Sequence, residues 1–157
     1  MQKYRVLILC TGNSCRSQMA EGWVRHLLGD RVEVASAGTH PAGYVHPMAI
    51  KVMAEEGVII SRQRSKSVAQ FANDTWDLVI TVCDSAREEC PYFPGAKEQI
   101  HISFPDPALV GGPREIQEEA YRTVRDAIRQ RLVPEVERRC RAGASGSAGA
   151  AEAASES

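Results

Sequence analysis

No stretch of this chain stays apolar for anything near the roughly 20 residues that a membrane-crossing helix requires. Met1-Gln2-Lys3-Tyr4-Arg5 leads into only five apolar residues, Val6 to Cys10, before polar Thr11-Gly12-Asn13. That pattern argues against a membrane span and against a secretory leader. Net charge is also lacking, since 19 Lys and Arg face 20 Asp and Glu. A nucleic-acid partner needs a basic surface to neutralise phosphates, so that class is disfavoured. The five cysteines are an odd number, which suits a disulfide-stapled secreted scaffold poorly. His26, His40, His46 and His101 form no ligand spacing with them, and no metal is expected. These absences leave a cytoplasmic monomer in which thiols stay reduced, and there a set of cysteines is usually catalytic or redox-active.

What is present is strand–helix alternation. YRVLILC (4–10) is a short apolar run ending at a Gly/Asn/Ser turn, the pattern of a buried parallel strand. Helical periodicity follows over 17–28, with Gly29 as its stop, and RVEVASAG (31–38) alternates as a second strand. Pro47 opens a second helix. WDLVITVC (76–83) is the clearest buried strand after the first, and KEQIHISF (97–104) is a fourth candidate. A long amphipathic helix is expected from Pro113, ended or kinked by Pro134. The expected fold is α/β: three layers, a four-stranded parallel sheet and helices on both faces. Residues 1–141 read as one catalytic domain. The low-complexity remainder, 142–157, reads as a disordered tail.

In such sheets ligands bind beyond the carboxyl ends of the strands. That rule gathers the loop after strand one, Cys83 and the Pro105-Asp106-Pro107 segment at one rim. The loop reads Cys10-Thr11-Gly12-Asn13-Ser14-Cys15-Arg16-Ser17. Successive backbone N–H groups plus a helix N-terminus make an anion cradle. Gly12 lets the backbone approach an oxyanion, Asn13 tolerates a left-handed conformation, and Arg16 offers a planar bidentate fork. The same positive environment is expected to depress the pKa of Cys10 and make it a nucleophile, with the Ser17 hydroxyl adding a hydrogen bond. Cys15 contributes its backbone N–H rather than its thiol. The Arg62-Gln63-Arg64-Ser65-Lys66 cluster reads as a solvated face, and Cys140 receives no role.

CTGNSCRSQMAEG resembles the active-site segment of the low-molecular-weight protein tyrosine phosphatase fold, and within it the thioredoxin-coupled arsenate reductases. The similarity runs from about residue 4 to 132 and takes in ASAG (35–38), TVCDSAREECP (81–91) and FPDPA (104–108). It implies Cys10 as nucleophile, Arg16 as oxyanion clamp and Asp106 as general acid. A phosphatase needs no further thiol. Members of that kind usually carry tyrosines just after the loop aspartate, where this chain has Pro107-Ala108-Leu109-Val110. A reductase must supply two electrons to As(V). The resemblance implies that Cys83 and then Cys90 relay them, through Cys10–Cys83 and Cys83–Cys90 disulfides, to thioredoxin or glutaredoxin. If 84–90 is helical, the seven-residue offset rises about 10 Å, whereas a disulfide needs Cα atoms within about 7 Å. That segment is therefore expected to unwind on oxidation. Arsenate is the expected substrate, with phosphate or sulfate as mimics and no cofactor. A phosphatase of small phosphate esters and a noncatalytic redox or oxyanion sensor stay open as alternatives. Some relatives hold potassium behind the loop. Asn13, Glu21 and Ser36 match that site, and Lys66 stands where an acidic ligand would be.

Overall fold

The computed structural model describes residues 3–84 and 91–148, with the backbone alone over 144–148. Residues 85–90 of the expected moving segment, Cys90 among them, lie outside the described residues. Four parallel strands form one sheet: β1 (Tyr4–Cys10), β2 (Val32–Gly38), β3 (Trp76–Thr81) and β4 (Ala96–His101), in spatial order β2-β1-β3-β4. β1 is central, and Val6 to Leu9 are fully buried. That explains its unbroken apolar reading, because a strand covered on both faces has no polar side to show. β4 sits at the edge with mostly exposed or half-buried side chains, which accounts for its charged sequence.

Four α-helices complete the chain: α1 (Arg16–Leu28), α2 (Pro47–Glu55), α3 (Arg114–Arg131) and α4 (Val133–Ala148). All four contribute to the core that includes Val6, Ile8, Leu78 and Ile80 from the sheet. The opposite face carries Leu7, Leu9, Val79 and Trp76. Among the described residues it is covered by the 3₁₀-helix Val68–Phe71 and by Phe93. Strands alternate their side chains, so β1 feeds both cores from successive residues.

The chain breaks between α3 and α4 at Leu132, and Pro134 sits in the first turn of α4, where its missing N–H costs nothing. The helix then runs past Arg141 to Ala148, beyond the boundary drawn from composition. Alanine favours helix whatever its sequence complexity, and Val136 and Cys140 bury one face of α4 in the main core. Arg139 joins Glu98 of β4 at 3.1 Å.

Candidate active site

β1 ends at Cys10 and α1 begins at Arg16, so the five residues between turn tightly at the sheet's carboxyl rim. Asn13 makes that turn with φ of +48°, in the left-handed region. The carbonyls of the loop then face outward and are bonded. Those of Cys10, Thr11, Gly12 and Ser14 accept from the backbone N–H groups of Thr39, His40, Ala42 and His46 at 2.8–3.3 Å. Residues 39–46 thus form a strap along the outside of the loop. The fifth carbonyl, of Asn13, accepts from the Gln18 side chain at 3.0 Å. With every carbonyl turned out and satisfied, the loop keeps its amide dipoles toward the pocket.

Residues 10–16 and Asp106 line a pocket of about 220 Å³. Cys10 is almost completely buried. Its Sγ receives the Asn13 N–H at 3.2 Å and lies 2.9 Å from Ser17 Oγ. Ser17 Oγ also accepts from Asn13 Nδ2 at 2.7 Å, and its own proton is free to turn to the sulfur once Cys10 is a thiolate. Arg16 is held by the Phe104 carbonyl at 3.2 Å, and its guanidinium lies 3.6 Å from Asp106 Oδ2. Asp106 in turn accepts from Ala108 N at 3.0 Å, capping the 3₁₀-helix Pro107–Leu109. Nucleophile position, cationic fork and carboxyl therefore meet around one small cavity. No side chain caps α1, so its first N–H groups complete an anion cradle.

Cys83 approaches the same rim from the neighbouring strand. β1 and β3 pair Leu9 with Thr81, and Val82 N–H donates to Leu9 O at 2.9 Å beyond the end of β3. That register sets Val82 beside Cys10 and Cys83 one residue further, with its side chain fully buried. Among the described residues, no group of three or more His, Cys, Asp or Glu could hold a metal ion. No helix among them is long and apolar enough to cross a membrane.

Several supports escape a linear reading. A Cβ at Gly12 would meet nothing closer than Ser14 Oγ at 3.6 Å, so contacts within the protein do not demand glycine there. One at Gly38 would fall 2.4 Å from Thr11 O and 3.0 Å from Asn13 N. Glycine is needed where β2 passes behind the loop. The 62–66 cluster is more than a solvated face. Ser65 Oγ donates to Gly12 O at 3.2 Å, Lys66 N–H donates to Asn13 Oδ1 at 2.8 Å, and Arg64 O accepts from Gln18 Nε2 at 2.7 Å. Lys66 Nζ lies 3.7 Å from Glu21 Oε1, which also accepts from Ser36 Oγ, itself bonded to Asn13 Nδ2 at 2.9 Å. Burial lowers the Lys66 pKa, and the Glu21 carboxylate opposes that shift.

Aromatic groups from elements far apart in sequence meet behind the loop at Cys15. The Tyr121 hydroxyl is 3.5 Å from Cys15 Sγ, and its ring lies 5.1 Å from His46, which neighbours exposed Tyr44. Burial pushes both the Cys15 thiol and the Tyr121 hydroxyl up, each further raised by nearby Asp106. The Cys15 thiol thus faces Tyr121, on the core side of the loop.

Comparison with known proteins gives the geometry its context. The model for low molecular weight phosphotyrosine protein phosphatases matches residues 5–141. The arsenate reductase of Halalkalibacterium halodurans is 46% identical over 132 residues, covering 84% of this chain and 94% of that protein. A solved arsenate reductase in its phosphate-binding state superposes with a TM-score of 0.67 at 33% identity, covering 85% of this chain and 95% of the other. A thioredoxin-dependent arsenate reductase of Corynebacterium glutamicum superposes with a TM-score of 0.60 at 31% identity, over 82% of this chain and 59% of its own.

Proposed function

This chain belongs to the low molecular weight phosphotyrosine protein phosphatase family, and from that premise we propose that it is a thioredoxin-dependent arsenate reductase. The observation that carries the reading is the second thiol. Cys83 is buried two residues beyond Thr81, the partner of Leu9 on the adjacent strand, a placement that ester hydrolysis does not use. In the proposed cycle Cys10 attacks As(V) in the pocket and a hydroxyl ligand leaves as water, giving a Cys10–arsenic adduct. Arg16 and the loop amides hold the oxyanion, and Asp106 supplies the proton to the departing oxygen.

Cys83 then attacks Cys10 Sγ. The S–S bond forms as the S–As bond breaks, and the electron pair stays on arsenic, which leaves as arsenite. Cys90 attacks Cys83 and frees Cys10, leaving a Cys83–Cys90 disulfide. A thioredoxin dithiol reduces that bridge by ordinary exchange. The enzyme acts as a cytoplasmic monomer, and glutaredoxin is the alternative donor.

The test is a donor-swap assay. Arsenite should form with thioredoxin, its reductase and NADPH. Cys90→Ser should release about one arsenite per enzyme and stop, as expected when the exit thiol of an exchange chain is missing. Sustained wild-type turnover by that variant would defeat the three-thiol relay.

A second reading, a phosphatase of small esters, is favoured by one observation: Asp106 lines the pocket beside Arg16, where it can protonate a leaving alcohol. An aryl phosphate hydrolysed faster than arsenate is reduced would establish it.

A further inference from the structure

Of the five loop carbonyls from Cys10 to Ser14, four are bonded by the strap at 39–46. The remaining one belongs to Asn13, the residue whose left-handed backbone makes the turn. Its N–H donates to Cys10 Sγ, and its side-chain amide orients Ser17 against the same sulfur. What fixes the conformation of Asn13 therefore sets both contacts made to the nucleophile.

That task falls to Gln18, a fully buried amide in the first turn of α1. Its Nε2 faces three acceptors: Asn13 O at 3.0 Å, Asn13 Oδ1 at 2.9 Å and Arg64 O at 2.7 Å. The reverse amide orientation would set oxygen against oxygen three times, so the assignment is chemically forced. Gln63 fixes the other end, donating to Gln18 Oε1 at 2.8 Å and Gln18 O at 3.0 Å. The Gln63 oxygen accepts from Arg25 at 3.0 Å, and Arg25 pairs with Glu21 at 2.6 Å. Glu21 accepts from Ser36, which accepts from Asn13. Six side chains thus close a circuit, Asn13–Ser36–Glu21–Arg25–Gln63–Gln18, that leaves Asn13 and returns to it. Gln18 does not line the pocket and has no path to substrate.

We infer that Gln18, locked by Gln63, is a positioning residue for the oxyanion loop, holding Asn13 by its backbone and side-chain oxygens in the left-handed conformation from which its N–H meets Cys10 Sγ. The inference deepens the anion-binding reading of the site and is independent of whether arsenate is the substrate. Buried, mutually satisfied polar networks specify one geometry, and removing a single member leaves the others unpaired.

The probe is inorganic phosphate, read by how well it protects Cys10 from alkylation in the folded protein. Gln18→Met keeps length and volume while deleting the donors. Phosphate protection should weaken about tenfold, with arsenate KM rising in parallel where turnover is measured. Gln63→Met removes only the lock and should weaken protection about threefold, and the double variant should show less than the product of the two effects. A residue that merely stabilised the fold would lower the melting temperature and leave phosphate affinity of the folded molecules unchanged. Wild-type protection in Gln18→Met overturns the inference. If that variant does not fold, wild-type protection in Gln63→Met overturns it. Phosphate affinity lost while arsenite production fails even in wild type would refute the reductase and leave this inference standing.

Discussion

Gly38 and Lys66 show how much of this site rests on residues with no chemistry of their own to advertise. At Gly38 the room for a side chain is already occupied by the anion loop. Gly38→Ala should cost about 1–3 kcal/mol in urea unfolding, the usual range for overpacking, and should weaken phosphate binding because the displaced atoms are Thr11 O and Asn13 N. Unchanged phosphate affinity would show that the loop yields without moving its amides. Lys66 is the second case. Its ammonium lies beside Glu21, where the sequence resemblance implies a potassium site. Activity and melting temperature should be equal in potassium and sodium salts, and Lys66→Asp should become potassium-responsive. A wild-type response to potassium would refute the substitution of one cation for the other. The nucleophile loop, Arg16 and Asp106 were legible in the sequence because strand–loop–helix patterning fixes where such residues fall. Gln18, Gln63 and Gly38 were not, because their roles depend on distances of 2.4 to 3.0 Å to segments that are remote in the chain.

At the scale of elements, β1, β3, α1 and α3 fall within a residue or two of their expected bounds, since central strands and amphipathic helices carry strong periodic signals. β4 stops at His101, short of Phe104, because an edge strand lacks a second neighbour to extend its ladder. α4 was the least legible. From residue 142 its composition reads as tail, yet the helix runs on to Ala148, and Val136 within it has no exposed surface and packs in the main core. Val136→Asp places an unpaired carboxylate in that core and should destabilise the protein by at least about 3 kcal/mol. If chemical denaturation finds less than about 1 kcal/mol lost, α4 is an appendage and not part of the cooperative unit. The same reasoning explains why resemblance alone, ending near residue 132, undervalued this helix.

The whole molecule is held near charge neutrality, so its stability against pH is set by a few buried groups. Burial raises the Cys15 thiol and the Tyr121 hydroxyl above their ordinary values of 9.0 and 10.0, and Tyr4 is pushed up to about 12, chiefly by burial. A raised folded value means that the unfolded chain releases its proton first. The stability from these groups is whole below pH 9.0 and is lost as pH climbs through the folded values. Lys66 works in the opposite sense: its lowered value means that the cost of burying the ammonium is relieved as pH nears 10.5. The Cys140 thiol is raised by burial as well, so four groups against one should leave a net fall in stability above pH 10. Tyr121→Phe should flatten that fall, measured by melting temperature across pH 8 to 12. An identical alkaline slope in wild type and variant would exclude Tyr121 as a contributor.

The burial of Cys83 beside a nearly buried Cys10 bears on self-poisoning. Trivalent arsenic is strongly thiophilic and is chelated most tightly by two sulfurs presented together. An enzyme that makes it with paired thiols generates its own inhibitor at each turnover. Among the described residues, one sulfur of the proposed pair is sealed from water and the other lies at a small pocket, so arsenite returning from solution would meet no open dithiol between Cys10 and Cys83. The packing that keeps Cys83 out of sight makes the release of product hard to reverse.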